Sequence, residues 1–286
     1  MSGRDRMPLV YACIAPHGGG TIEKLAPKAS VEKFRKTRDG LRKLGAEVGR
    51  AKPDTIVLAT PHNLRLWKNI GVVTAENSTG TLHASPRNKN VINLKAKCDV
   101  KFAKELLERS ARTQLPVVGA NYGTSEGVSS DMQMDWGTLV PLWFMIPRCK
   151  RKPKLVIVTP SREIPLSQNF QFGKVIALVA EADRKKRVVF VASADQAHAH
   201  KRSGPYGYSS KAKEYDTFVL DALDRNRISD VMNMRPDFVE AAKPDSLWQM
   251  TILAGIIDKV KLRAKLVSYD APTYFGMICA SFRRVT

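Results

Sequence analysis

Short, continuous apolar runs along the chain alternate with longer stretches in which apolar residues recur at helical spacing. The runs PLVYACIAP (8–16) and DTIVLATP (54–61) have the pattern of buried strands, and each ends at Pro-His. Between them, VEKFRKTRDGLRKLGAEV (31–48) has the spacing of an amphipathic helix. This part of the chain is therefore predicted to form a strand, a helix and a second strand.

The second half of the chain repeats this alternation. KLVIVTP (154–160) and RVVFVASAD (187–195) are predicted to be buried strands, and FGKVIALVAEADRKK (172–186) is predicted to be the helix that joins them. The remaining apolar segments are predicted to be a buried helix or bent strand at GTLVPLWFMI (137–146), a buried helix at SLWQMTILAGII (246–257), and strands at AKLVSYDA (264–271) and YFGMICASF (274–282).

The alternation of strands and helices predicts an α/β fold with a central mixed, largely parallel sheet flanked by helices. The length of 286 residues suits one large α/β domain or two small ones. No internal repeat and no long Pro/Gly-rich linker divides the sequence, so we expect a single domain over residues 1–286. In such folds, ligands bind in the loops at the carboxyl ends of the strands.

The net charge of +20 raises the question of nucleic-acid binding. Basic residues cluster at RCKRKPK (148–154), RKKR (184–187) and KVKLRAK (259–265), all at the ends of apolar runs where an element meets solvent. The sequence contains no zinc finger, RNP-type aromatic motif or recognisable helix-turn-helix. Specific nucleic-acid binding is therefore not expected, and the charge is interpreted as a solvated surface. Weak polyanion binding, or attraction of an anionic substrate, remains the alternative.

Cysteine usage and hydropathy indicate a cytoplasmic protein. Cys13, Cys98, Cys149 and Cys279 are far apart and form no C-x-x-C pair, which is typical of reduced thiols. No run of ~18 uninterrupted apolar residues is present, so no membrane span is predicted. The first residues, MSGRDRMPLVYACIAP, lack the pattern of a secretory signal.

Three of the five histidines follow apolar, strand-like runs. His17 and His62 have matching lead-ins, CIAPHGG and LATPHNL, which place an imidazole at the mouth of a sheet. Two histidines and a carboxylate that converge there would form the facial triad that holds non-haem Fe(II) with open positions. The same histidines could bind Zn²⁺ for hydrolysis, because ligand type alone does not decide the metal. A single Pro-His is more typical of a strand cap, but the matched pair favours a metal site.

The third of these histidines, His198 in SADQAHAHKRSGPYGY, is suited to acid–base work, because the ordinary pKa of imidazole lies near neutrality. His200 could share this role, although a solvent-facing ring is favoured. His83, in STGTLHASP, is a weak candidate that could only cover the site.

The carboxylate of such a triad has two candidates in PDFVEAAKPDSLWQM, namely Asp245 and Glu240. The structural alternative for Asp245 is a cap for the helix that follows it, and the structural alternative for Glu240 is a solvated helical position. Asp135 and Asp195 also lie beside apolar segments, where each could orient a histidine.

These features together resemble the class III extradiol ring-cleavage dioxygenases, the family of the catalytic subunit of protocatechuate 4,5-dioxygenase, and the related Memo-type proteins. The resemblance covers nearly the whole chain and depends on the order and spacing of its motifs. After the strand that leads to His17, the motifs are VLATPHN with His62, MDWGTLVPLWFM (134–145), VVFVASADQAHAH (188–200), SGPYGY (203–208) and KPDSLWQMTILAGI (243–256).

The resemblance implies a single α/β domain with a metal at one edge of the sheet. His17 and His62 would be the iron ligands, and His198 would be the acid–base residue beside the open coordination positions. The third ligand of the family is a glutamate ahead of the late buried helix. Asp245 is the best placement of that role in this sequence, with Glu240 as the alternative.

One departure from the family pattern lies at Asp135-Trp136-Gly137, where many relatives have Asp-His-Gly. Trp136 would form an apolar wall, and proton handling would then depend mainly on His198. The change could instead indicate an altered substrate or a protein that keeps the fold without catalysis. The aromatic residues that could shape a ring pocket are Trp136, Tyr206, Tyr208 and Trp248, although each by itself is more typical of a core.

The function predicted by these features is that of an Fe(II)-dependent extradiol dioxygenase, which would cleave a catechol-type ring with O2. Zn, Mn and Cu are the alternative metals. The competing functions are a Memo-like, non-catalytic metal- or ligand-binding protein and a zinc hydrolase on the same histidines. The family resemblance also implies a homo-oligomer.

Overall fold

A computed structural model describes residues 8–85 and 88–285 of the chain. The strands are β1 Leu9–Ala15, β2 Thr55–Ala59, β3 Ile70–Val73, β4 Asn77–Ser85, β5 Asn88–Lys97, β6 Val117–Ala120, β7 Asp131–Gln133, β8 Lys154–Thr159, β9 Val188–Ser193, β10 Leu262–Asp270 and β11 Met277–Arg284. The α-helices are α1 Arg35–Ala51, α2 Val100–Arg112, α3 Trp136–Met145, α4 Leu166–Ala182, α5 Ser210–Asp224, α6 Pro236–Ala242 and α7 Leu247–Lys259.

Eight of these strands form one mixed sheet in the order β10-β11-β1-β9-β2-β8-β3-β6. Its centre, β1-β9-β2-β8, is entirely parallel. On one side of this centre, β11 runs antiparallel to β1, and on the other side, β3 runs antiparallel to β8. The four central strands therefore have all their carboxyl ends at one edge of the sheet and all their amino ends at the opposite edge.

Helices cover both faces of the central strands, which explains why these strands are apolar at nearly every position. Along β2, Val57 and Ala59 pack into one core with α2, α4, α5 and α7. Ile56 and Leu58 point to the opposite face and pack with α1 and α3. The fold is thus α/β with a mixed, mostly parallel central sheet flanked by helices, as the sequence predicted.

Most predicted elements are present, with shifted ends. The segment 137–146, predicted as a helix or a bent strand, is helix α3. Residues 31–34 of the first predicted helix form 3-10 turns, and α1 begins at Arg35. The helix predicted over 172–186 is α4, which starts earlier and ends at Ala182. The basic residues after Ala182 belong to the loop that leads into β9, where most of them are exposed and Lys186 pairs with buried Asp99.

A three-stranded sheet in the order β5-β4-β7 was not predicted. β4 and β5 form an antiparallel hairpin whose sequence is mainly polar, so no apolar run marks either strand. Met134 and Leu139, at the start of α3, pack closely on Gly80 of this hairpin. None of the helices in the described residues is long and apolar enough to cross a membrane.

Candidate metal centre

His17 and His62 meet at the carboxyl edge of the central sheet. His17 follows β1 and His62 follows β2, and both strands pair with β9, which lies between them. Both strands end at an alanine, and a proline directly precedes each histidine. The proline ends the strand, so the chain leaves the sheet and the histidine lies over its edge. The two Nε2 atoms are 3.1 Å apart, and the rings are nearly perpendicular. A single ion could therefore contact both imidazoles.

Asp245 brings a carboxylate to the same point from the loop before α7. Its Oδ2 atom is 3.0 Å from His62 Nε2 and 3.5 Å from His17 Nε2. This loop is held to the sheet edge by a bridge between Pro244 and Ala197. The potential ligand atoms of His17, His62 and Asp245 all lie within 4.8 Å of one another. Of the groups that the sequence suggested as ligands, these three are the ones that the fold brings together.

The donor set and its hydrogen bonds fit a divalent transition metal. The hydroxyl of Ser193 donates to Gly137 O, so its oxygen accepts from the Nδ1–H of His17 at 3.0 Å. This arrangement fixes the tautomer and leaves Nε2 as the ligand atom. Asp245 Oδ1 is buried and has no hydrogen-bond partner in the described structure, which is costly unless a cation is bound nearby. Two imidazoles and one carboxylate are the ligands of the facial triad.

The electrostatics of the cluster also favour a positive charge. Burial by itself lowers the pKa of His17, but the carboxylates of Asp195 and Asp245 outweigh it and raise that pKa to about 9. Asp245 is buried too, yet the two histidines hold the pKa of its carboxyl well below the usual range. Without a metal, a proton therefore occupies this cluster. A bound cation would replace that proton, because a metal-binding imidazole must be deprotonated.

Asp195 and Asp135 support the two histidines in different ways. Asp195 is fully buried after β9, where its Oδ1 accepts the backbone N–H of His17 at 3.0 Å and its Oδ2 lies 3.4 Å from His17 Nε2. Asp135 caps α3 by accepting from Thr138 N–H. Asp135 also accepts from the hydroxyl of Thr60 at 2.6 Å, and Thr60 Oγ1 accepts from the backbone N–H of His62. Each carboxylate thus orients one histidine.

Trp136, the first residue of α3, packs against His62. The two ring centroids are 4.2 Å apart, and the planes are tilted by 31°. The indole remains 49% exposed, so its free face lines the cavity in front of the cluster. Trp136 is therefore an apolar wall, and it also limits the motion of the His62 ring.

His198 lines the same cavity as the cluster. Its Nδ1 is 2.9 Å from the carbonyl oxygen of Gln196, and because a carbonyl only accepts, Nδ1 carries a proton and Nε2 is the atom left for a ligand in the cavity. The ring stacks on Phe275 with centroids 5.1 Å apart, and Tyr206 and Tyr274 pack at its edges. Tyr274 and Phe275 also line the cavity. They were not among the predicted site residues, although they begin the apolar run that leads into β11.

The cavity itself has a volume of about 740 Å³ and carries cationic as well as aromatic side chains. Arg162 follows β8 and lies 4.4 Å from the centroid of the Trp248 ring, in a cation–π contact. Within the described residues Arg162 forms no ion pair, and burial lowers the pKa of its guanidinium. Arg65 pairs with Glu163, in contrast. Arg162 follows closely after a central strand, and this position could have indicated a cavity residue from the sequence. It was not predicted, because Arg162 belongs to no recognised motif.

Other candidates lie apart from the cluster. His200 neither lines this cavity nor points into solvent: its Nε2 is 2.9 Å from Oδ2 of buried Asp216. Tyr208 is exposed and lies outside the cavity, and so does His83, on β4. Glu240 lines the cavity rim on α6, where it pairs with Lys243 instead of joining the histidines.

Comparisons with known proteins show to which chains this one is similar. Protein CA_C1420 of Clostridium acetobutylicum is 23% identical over 257 residues, which cover 90% of this chain and 54% of that protein. The chain thus spans about half the length of this curated relative. The crystal structure of the uncharacterized protein JW3007 from Escherichia coli K12 superposes with a TM-score of 0.59 at 16% identity, covering 95% of this chain and 99% of that one.

At that identity the structural likeness concerns the fold alone. The family assignment comes from the sequence match, since residues 11–279 match the catalytic LigB subunit of aromatic ring-opening dioxygenase. That match includes His17, His62, His198 and Asp245. The chain therefore belongs to the family of the catalytic LigB subunit of aromatic ring-opening dioxygenases.

Proposed function

We propose that this chain is an Fe(II)-dependent extradiol dioxygenase that cleaves a catechol-type ring, with His17, His62 and Asp245 as the iron ligands. The observation that carries the proposal is the convergence of their three ligand atoms within 4.8 Å of one another, on the wall of a cavity that His198 also lines. Family membership supports aromatic ring opening as the reaction class.

His17, His62 and Asp245 would hold the iron, which would supply the redox chemistry with dioxygen. The chain's own residues bind and orient the substrate and move protons. His198 Nε2 is the atom available to accept a proton from a hydroxyl of the diol and to return it to the product. The stacked ring of Phe275 holds this imidazole in place. Among the described residues, His198 is the one imidazole of the cavity lining outside the ligand set.

The aromatic side chains Trp136, Tyr206 and Tyr274 form walls against which a flat ring packs. Arg162 adds a half-buried cation that has no ion-pair partner within the described chain. A partly desolvated guanidinium is stabilised by a carboxylate that it can bind through two hydrogen bonds. We therefore favour a diol with an acidic substituent over an unsubstituted one.

The experiment that tests this function is anaerobic purification, metal analysis, and measurement of oxygen uptake with a panel of catechols. We expect about one iron per chain and a yellow ring-cleavage product with O2 consumed in equal amount. The His17→Ala variant should lose the iron. Equal iron content in the wild type and this variant would contradict the proposal.

The competing functions give different results in the same experiment. Zinc with hydrolysis and no oxygen uptake would identify a zinc hydrolase on the same histidines. A bound metal without turnover of any catechol would favour a non-catalytic, Memo-like binding protein. The tryptophan at position 136 makes this the main alternative to a dioxygenase. Copper or manganese in place of iron would show directly in the metal analysis.

We also propose a cytoplasmic location and a homo-oligomeric state. All four cysteines are free thiols, as expected for a reducing compartment. The oligomeric state follows from the family resemblance alone, and analytical ultracentrifugation of the purified protein would measure it.

A further inference from the structure

A second cavity lies at the opposite edge of the central sheet from the metal centre. It is formed by the loops that precede β2, β8 and β9, and its volume is about 760 Å³. All the described residues that line it are charged, seven of them Lys or Arg and two of them Asp. We call this site the basic cavity. Its excess of positive charge is unexplained by the proposed dioxygenase reaction, which takes place at the other edge.

The basic cavity joins two of the three basic clusters of the sequence. Arg151, from the cluster 148–154, precedes β8, and the cluster 184–187 precedes β9. These segments are distant in the chain but meet because β8 and β9 both pair with β2 and run in the same direction. The third cluster, 259–265, lies near the start of β10, at the far edge of the sheet.

Hydrogen bonds around Asp54 hold these loops in fixed positions. Its Oδ1 atom pairs with Arg151 Nη2 at 2.8 Å, and its Oδ2 accepts the backbone N–H of Arg187 at 2.9 Å. The Arg187 side chain in turn donates to the carbonyl of Ala51 at 2.7 Å. These contacts hold the loops in place, and the charged side chains project from them into the cavity.

Three cations of the basic cavity lack an acidic partner. Within the described residues, Arg50, Lys52 and Lys185 form no ion pair. Like charges gathered in one concave site repel each other, and the repulsion is relieved when an anion binds among them. The arrangement therefore favours a ligand with several negative charges close together.

We propose that the basic cavity binds a compact oligophosphate, meaning a short chain of phosphoryl groups, either free or as the tail of a nucleotide. Lys and Arg are the side chains that bind phosphate oxygens most strongly. The volume is that of a small-ligand site. No aromatic side chain of the described chain lines the cavity, so it offers charge but no surface on which a base could stack. This proposal is independent of the proposed dioxygenase function.

The test is calorimetric titration of the full chain with inorganic tripolyphosphate at constant ionic strength, with orthophosphate as the low-charge comparison. One variant combines Arg50→Gln, Lys52→Asn and Lys185→Gln, three residues whose side chains form no hydrogen bond or ion pair within the described chain; Asn also tolerates the left-handed backbone of position 52. A control variant, Lys261→Gln with Arg263→Gln and Lys265→Gln, removes the same charge from the third cluster, whose side chains are exposed. We expect the first variant to weaken tripolyphosphate binding about tenfold or more and the control to weaken it less than about threefold.

A nucleoside triphosphate and a short DNA duplex complete the experiment. Triphosphate affinity close to that of tripolyphosphate would support recognition of the phosphate chain itself. Equal losses in the two variants, or no measurable binding by the wild type, would overturn the proposal. Tighter binding of the duplex than of tripolyphosphate would also overturn it, in favour of an interface for a nucleic-acid backbone. Thermal melting of each variant confirms that its fold is intact.

Discussion

The indole ring of Trp136 lies against the imidazole of His62, with centroids 4.2 Å apart. Trp136 therefore restrains one of the two histidines of the candidate metal centre. Groups that orient a metal ligand typically contribute 10–100-fold to metal affinity.

We predict that Trp136→Ala lowers metal affinity about tenfold, since the His62 ring gains freedom when this contact is lost. Trp136→Phe, which keeps a flat apolar ring, should change the affinity less than about threefold. Competition with a chelator of known affinity measures both variants. Wild-type affinity in Trp136→Ala would show that the contact is incidental.

The choice between two carboxylates in the segment before α7 gives a matched pair of variants. We expect Asp245→Asn to abolish stable metal binding, because Asp245 Oδ2 lies 3.0 Å from His62 Nε2. Glu240→Gln should keep full metal content, since Glu240 pairs with Lys243 at the cavity rim. Metal analysis after dialysis compares the two, and the opposite result would move the third ligand to Glu240.

His198→Gln separates proton handling from metal binding. The variant should retain its metal, because His198 lies outside the cluster of ligand atoms. Its turnover of a catechol should fall about 10²–10⁴-fold, which is the usual contribution of a general acid–base group. His83→Gln is the control, since His83 lies on β4 away from the cavity. Loss of metal in His198→Gln, or unchanged turnover, would remove the assigned role.

Arg162 gives a prediction about substrate charge. We expect Arg162→Gln to lower kcat/KM for a carboxylate-bearing catechol by about 10–100-fold, because hydrogen bonds to charged groups contribute about 1.5–3 kcal/mol. The corresponding neutral amide should react equally with both proteins. Lys243→Gln is the comparison, as this cation is already paired with Glu240. Parallel losses on the acid and the amide would indicate a structural role for Arg162.

A buried ion pair remote from the metal centre predicts the acid stability of the fold. Burial raises the pKa of Asp99, but hydrogen bonds from Lys186 at 2.7 Å and Thr55 at 2.6 Å outweigh it and lower that pKa below its usual range. A carboxyl with a depressed pKa stabilises the fold above its unfolded pKa and loses this contribution as the pH falls through its folded pKa.

We therefore predict that the wild type loses stability progressively below about pH 4. At pH 7, Asp99→Asn should reduce the free energy of unfolding by about 2 kcal/mol and the melting temperature by about 5 °C. The difference between the two proteins should shrink as the pH falls. Thermal melts from pH 3 to pH 7 measure it, and a constant difference would show that the Asp99 charge is not responsible.

The local pattern of the sequence was sufficient to predict the central strands and the buried helices. β1, β2, β8 and β9 are apolar at nearly every position because both of their faces are covered, and such runs are visible without any knowledge of the partners. The hairpin of β4 and β5 was missed, since its strands are mainly polar and gain their structure from pairing with each other. Helix ends also shifted, because caps and loop contacts decide them.

The matched Pro-His lead-ins of His17 and His62 were visible in the sequence. They predicted that the two histidines lie close together, because parallel strands place the residues that follow them at one edge of a sheet. Only the strand order, in which β9 lies between β1 and β2, brings these two rings within 3.1 Å. The same holds for the carboxylate: Asp245 and Glu240 are five positions apart, and the packing of the loop before α7 decided which one faces the histidines.

The sequence by itself therefore determined the fold class and predicted that His17 and His62 form one site, whose role in metal binding stays a prediction. The tertiary structure alone decided that Asp245 completes the cluster, that His200 turns away to Asp216, and that Arg162 enters the cavity. It also decided that two basic segments distant in the chain line one cavity. The physical reason is that hydrophobic periodicity is a local property, whereas contacts between loops depend on which strands become neighbours across the sheet.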